Sequence, residues 1–190
     1  MENNKTAKTQ YPVVDIIKKR WSARSFSDKK ITPETMETIV EAASWAFSSM
    51  NEQPWRYMIG YKGDPLFEKL VASLMPGNTP WAKNAAGLVL SLAKKNHASN
   101  GQPNHYAFHD VGAANQLLTL QAIQLDVYCH VMGGFDRAKL NELIQYPEDC
   151  TPVAVIALGY LDSAEKLEEP YKSRETGQRT RKPVSEIILK

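Results

Sequence analysis

Arginines near both ends of the chain are the first residues whose chemistry asks for a common partner: Arg20 and Arg24 at the start, Arg179 and Arg181 at the finish. A guanidinium presents a rigid planar fork of donors that matches a phosphate bidentately. An N-terminal arginine and two C-terminal arginines at alternate positions can therefore clamp one phosphate from several sides. Solvated loop charge is the other reading of these residues, and of Lys83 and Lys182. Ser22, Ser48, Ser49, Asn51 and Asn78 are short polar residues beside predicted helix ends, where they act as caps or as contacts to a polar ligand edge. Gly133-Gly134 either lets the backbone approach a flat ligand closely or makes a plain strand-to-helix turn. Of His97, His105, His109 and His130, the pair His105 and His109 has helical spacing. No third ligand follows beyond Asp110, so no metal site is expected. Tyr106, Phe108 and His109 read as pocket-lining or packing groups.

The elements that must position these residues are readable from period and punctuation. Val13, Ile16 and Ile17 form a short helical stripe that delivers the basic run 18–25 as a turn. Thr32-Pro33-Glu34 supplies an N-cap, a first-turn proline and an acid for the dipole, and Met36, Ile39, Val40 and Ala43 repeat at helical spacing. An aromatic-rich strand is expected over 55–61, followed by a helix from Asp64-Pro65 that buries Leu66, Phe67, Leu70, Val71 and Leu74. The segment 85–93 is apolar on both faces, as a central strand covered by helices would be. A long helix carries Val111, Ala114, Leu117, Leu118, Gln121 and Leu125. A strand over 127–132 precedes a helix capped by Asp136, and 153–159 is the last buried strand. Beyond Tyr160 the chain is hydrophilic, and it closes with an apolar segment, 184–189, that has no partner nearby in sequence.

Composition narrows the function. With 190 residues, 43% of them hydrophobic, a single domain over 1–190 is expected. The formal charge of +2 gives no field that implies nucleic acid or an anionic membrane surface. No apolar run approaches the roughly 20 residues that cross a bilayer, and 1–12 is polar, unlike a signal peptide. Cys129 and Cys150 lack metal-binding spacing and read as reduced thiols, so a cytoplasmic protein is expected.

The ordered set of motifs says more than any one of them. Arg20-x-Ser22-x-Arg24-x-Phe26 resembles the N-terminal motif of the nitroreductase family of flavoproteins. The stretch 46–55 (AFSSMNEQPW) resembles that family's second motif and Asn78-Thr79-Pro80-Trp81 its third. The fourth is matched by Met132-Gly133-Gly134-Phe135-Asp136 and the terminal one by 179–187 (RTRKPVSEI). The resemblance implies an α+β three-layer sandwich, with a central mixed sheet flanked by helices, built as an intertwined homodimer. The C-terminal segment 161–190 would be an arm packing on the partner subunit. It implies FMN at the subunit interface: Arg20, Arg179 and Arg181 on its phosphate, Ser22 and Arg24 at the pyrimidine edge, Trp21 beside them. Ser48, Ser49 and Asn51 would come from the partner, Asn78 would reach the ring or ribityl chain, and the backbone of Met132, Gly133 and Gly134 would lie near flavin N5.

The activity implied is hydride transfer from NADH or NADPH through FMN to a small electron-poor acceptor such as a nitroaromatic or quinone, by a ping-pong route. No side chain would be catalytic in the strict sense; Arg24 would tune the flavin. An FMN-binding sensor or storage module of the same fold is the alternative. Phe47 stands where many members carry a proline, and Gly133 where some carry an acid, so no side-chain acid is expected beside the flavin.

Overall fold

Asp15 opens the first helix, α1 (Asp15–Lys19), and its carboxylate lies 2.7 Å from Lys18 Nζ. The second, α2 (Pro33–Ser44), starts where the pattern predicts. Thr32 Oγ1 accepts the Thr35 N–H at 3.1 Å, and Pro33 at the first helical position has no N–H to leave unpaired. The structure is a computed structural model that describes residues 5–189. Residues 1–4 and Lys190, the outer ends of the polar leader and of the C-terminal arm, lie outside the described residues. Next come β1 (Trp55–Tyr61), α3 (Pro65–Ser73), a short α4 (Thr79–Ala82) and β2 (Gly87–Lys94). They are followed by the long α5 (Ala107–Gln124), β3 (Tyr128–Met132), α6 (Arg137–Leu143) and β4 (Cys150–Gly159). Asp136 caps α6 as expected, its Oδ1 accepting the Ala138 and Lys139 N–H groups. Asp64 behaves differently: its carboxylate accepts the Tyr61 N–H and closes the preceding turn instead of capping α3.

The four strands form one sheet in the order β1-β2-β4-β3, with every pairing antiparallel. This corrects the expectation of a mixed sheet. Apolar character on both faces of 85–93 and 153–159 is common in parallel sheets, but it requires only that both faces are covered, whichever way the strands run. One face carries Leu88, Leu90 and Leu92 of β2 with Val155 and Ala157 of β4, packed on Phe67 and Leu70 of α3, Trp81 of α4 and Leu140 of α6. The other carries Val89, Ala93, Ile156 and Leu158 against Met36 and Ile39 of α2 and Val111, Ala114 and Leu118 of α5. The result is helices, sheet, helices in three layers. A proline inside the central strand β4 is tolerated because β3 pairs only with 155–159, so the Pro152 end lacks a neighbour on that side. The polar residues buried under α5 satisfy one another: Asn115 Oδ1 accepts from Tyr57 OH at 3.1 Å and Ser91 Oγ at 3.0 Å.

Two segments beyond the last strand are more ordered than their composition suggests: α7 (Tyr171–Thr176) and α8 (Val184–Ile187). Up to Arg179 this tail packs on its own chain. Leu161 bridges to Phe26, and Arg179 Nη1 donates to the Lys5 and Lys18 carbonyls at 2.9 and 2.8 Å. Beyond it, Ile187, Ile188 and Leu189 are exposed.

The contact of β1 with α3 leaves no room at Gly60, where a Cβ would stand 2.6 Å from the Phe67 nitrogen and 2.8 Å from its Cα. Both atoms are backbone and cannot swing aside. Gly60→Ala should therefore destabilise the chain by about 1–3 kcal/mol, as overpacking does, with a lowered denaturation midpoint and an unchanged m-value in urea.

Candidate flavin phosphate site

The stretch that follows α1 is extended, and its burial alternates: Trp21, Ala23 and Ser25 are buried, whereas Ser22 is exposed and Arg20 and Arg24 are half-buried. A period of two puts the three polar members of the R-x-S-x-R motif on one side of the segment. Trp21 and Ala23 belong to the core on the other side and fix the segment's orientation, and Phe26, where the alternation ends, joins the same core.

That polar side faces a pocket of about 350 Å³. Arg20, Ser22 and Arg24 line it from the N-terminal motif, and Arg179 and Arg181 line it from the C-terminal one. Guanidiniums separated by about 160 residues of chain thus share one cavity. Their proximity is visible in their protonation energetics. Burial lowers the Arg20 pKa and Arg181 lowers it further, and burial followed by Arg20 and Arg181 does the same to Arg179. Part of Arg179 is already engaged, since Nη1 bonds backbone carbonyls while the side chain still borders the pocket. Trp21, which also lines the pocket, has a buried indole N–H with no partner among the described residues. A cationic cavity with an orphaned donor fits a phosphate-bearing group.

Lys5, His130, Arg174 and Gln178 complete the lining. None of the four was assigned to the site from sequence. His130 had a usable signal: in β3 it shares a face with Tyr128 and Met132, two residues either side of it, both of which belong to the core. Its ring lies 4.4 Å from the Trp81 ring, and Nδ1 donates to the Ala23 carbonyl at 3.0 Å. Burial, helped by the charges of Arg24 and Arg20, brings the imidazole pKa down to about 4. His130 is therefore neutral at physiological pH.

The remaining predicted residues lie outside this pocket, in two places. Asn78 and Gly134 meet directly, with Asn78 Nδ2 donating to the Gly134 carbonyl at 3.0 Å. A Cβ on Gly134 would stand 2.9 Å from that nitrogen, so only glycine leaves the amide in place. Gly133 is exposed and Met132 buried. This junction adjoins the arginine pocket through Trp81, three residues after Asn78, whose ring contacts His130 and has the Arg24 guanidinium 5.8 Å away. Ser48, Ser49 and Asn51 form a separate loop that does not line the pocket. Met50, Asn51 and Gln53 there have left-handed φ of 52°, 56° and 49°. The buried Asp110 carboxylate accepts the Ser49 N–H at 3.0 Å, and Glu52 accepts the Ala98 N–H at 2.9 Å.

Known proteins share this fold. The description "Nitroreductase family" matches residues 17–86 and 61–160, more than half of the chain. The chain belongs to the nitroreductase family. A crystal structure described as an oxidoreductase containing FMN is 30% identical, covers 100% of this chain and 96% of its own, and superposes with a TM-score of 0.90. A provisionally named nitroreductase of Desulfovibrio desulfuricans, solved in complex with FMN, is 25% identical over 96% of this chain and 98% of its own, with a TM-score of 0.77. An Archaeoglobus fulgidus protein provisionally named NADH dehydrogenase/NAD(P)H nitroreductase is 28% identical over 74% of this chain and 80% of its own. No helix among the described residues is long and apolar enough to cross a membrane.

The depressed His130 pKa sets a pH window. The unfolded chain takes up a proton below the ordinary value of 6.5, and the folded chain does so only near 4. Stability is therefore full above about pH 6.5 and is lost as pH falls toward 4. In His130→Gln, which still offers a donor to Ala23, the drop in urea midpoint between about pH 7 and about pH 5 should be smaller than in the unmodified protein.

Proposed function

We propose that this chain is an FMN-dependent oxidoreductase that passes hydride from NADH or NADPH to a small electron-poor acceptor, a nitroaromatic or quinone. It would work in the cytoplasm as a homodimer with FMN at the subunit interface. The observation that carries this reading is the convergence of Arg20, Arg24, Arg179 and Arg181 on one pocket. Bound FMN supplies hydride acceptance and release at N5.

The chain's own residues supply binding, orientation and field. Arg20, Arg179 and Arg181 would grip the phosphate, with Trp21 beside it. Ser22 and Arg24, on the same side of the extended segment, would meet the pyrimidine edge. Asn78, held by Gly134, would face the ring or ribityl chain, next to the backbone of Met132 and Gly133. Ser48, Ser49 and Asn51 would reach the partner's flavin, and the 161–190 arm would finish on the partner through its exposed apolar end. Arg24 would hold positive charge where the ring gains negative charge on reduction, an effect worth about 1.5–3 kcal/mol for a charge-assisted hydrogen bond.

Anaerobic mixing of the FMN-loaded protein with NADH and NADPH should bleach the flavin, and steady-state lines for donor and acceptor should be parallel. FMN retained without bleaching would leave a binding module, and failure to retain FMN would sink the reading altogether. Arg24→Ala should keep FMN but lower its reduction potential, by an amount equal to about one to two decades in the equilibrium.

A further inference from the structure

The cationic pocket is backed by a carboxylate from a part of the chain where the sequence shows only a hydrophilic tail. Glu175, in α7, is 6% exposed. Its Oε1 accepts the Arg24 N–H at 3.0 Å and the Ser25 N–H at 3.1 Å, and its Oε2 accepts the Arg24 N–H at 3.0 Å. We propose that Glu175 is a positioning residue that latches the R-x-S-x-R segment to the C-terminal tail, aiming Arg20, Ser22 and Arg24 into the pocket while offsetting part of its charge.

The geometry leaves the latch no substitute. Downstream, the same segment is tied to 160–163: Ser25 Oγ donates to the Ser163 carbonyl, and the Ser27 N–H to the Tyr160 carbonyl. At Arg24 and Ser25 the backbone N–H groups turn to Glu175 alone among the described hydrogen bonds. Removing the carboxylate would leave buried donors unpaired, and a buried unpaired donor moves or admits water. The charged groups facing Glu175 are Arg24 and Lys5, and both favour its ionised form, as do the two N–H bonds. Burial acts the other way and is the larger effect, so the carboxyl pKa is raised. Lys5 braces the same junction from the N-terminal side, donating to the Arg174 and Gly177 carbonyls with its ammonium 5.0 Å from the Trp21 ring. One acid from the C-terminal tail thus sits against the backbone and charge of the N-terminal arginine segment, whose Arg24 lines the cavity.

The test compares unmodified protein with Glu175→Gln and Glu175→Ala, titrating each with inorganic phosphate and with FMN. Gln retains an amide oxygen where Oε1 accepts both N–H groups, and it removes negative charge from beside an anion site. It should bind both ligands as tightly as the unmodified protein or more tightly, whereas Ala should bind both about tenfold more weakly. With FMN bound, the reduction potential of the Gln variant should shift positive, because an anion near the ring has been removed; a role confined to folding would not move it. Unmodified affinity in the Ala variant, equal losses in both variants, or an unshifted potential in the Gln variant would each overturn the proposal. Should Ala fail to fold, the Gln affinities and potential decide it alone. The potential rests on the FMN reading, but the phosphate titration does not: phosphate binding without FMN binding would sink that reading and leave the latch to be judged on phosphate.

Discussion

Everything at this site depends on holding like charges together. Like charges brought together out of bulk water repel, and Arg20 and Arg179 share the cavity with Arg181 closely enough that their pKa values fall. The fold resists this with groups that cannot drift. Arg179 is fastened to two backbone carbonyls of the N-terminal segment, Lys5 is fastened to two carbonyls of the C-terminal tail, and Glu175 holds the arginine segment between them. The exchange is reciprocal, with each end of the chain supplying cations that the other end's backbone accepts. A dianionic phosphate relieves the same repulsion, so a cavity of this kind is poised for an anion before one arrives.

The sheet makes that junction possible. Its antiparallel order puts β4 in the interior next to β2 and β3, so the chain leaves the core at Gly159, directly under Phe26. The tail therefore emerges beside the N-terminal motif, and only a short connection is needed before α7 reaches Arg24. His130, on the neighbouring β3, becomes part of the pocket floor, and Trp81 spans from it toward the junction of Asn78 with Gly134. The arginine pocket and the Asn78-Gly134 junction are thus linked by one strand and one ring.

Local signals in the sequence were sufficient for the strands and the main helices, but not for the short α4, α7 and α8, and were insufficient for the partners of any element. The cap at Thr32, the proline at 33, the strand over 55–61 and the cap at Asp136 were legible because each rests on residues within one turn or one strand. Strand direction was not, because burial on both faces says nothing of orientation. The arginines could be picked out by type and spacing. Glu175 could not, since its hydrogen-bond partners lie about 150 residues away and its neighbours in sequence read as solvated charge. Lys5 and Arg174 were hidden for the same reason. His130 fell between the two cases: its strand was predicted, but one polar residue on an inward strand face is as often a packed histidine as a ligand contact.

The loop over 48–53 obeys a different logic. Three non-glycine residues in the left-handed region cost roughly 1 kcal/mol or more each, so the loop persists only if its surroundings over-determine it. The buried Asp110 carboxylate and Glu52 supply that constraint from within the same chain. Yet large side chains in and just before the loop are exposed: Trp45, at the end of α2, by 80%, Phe47 by 69% and Met50 by 82%. Exposed large apolar groups beside a strained loop are a common feature of interaction surfaces. A strained loop held from within its own chain and flanked by exposed apolar side chains is what the proposal that this loop completes a site on another copy of the chain requires.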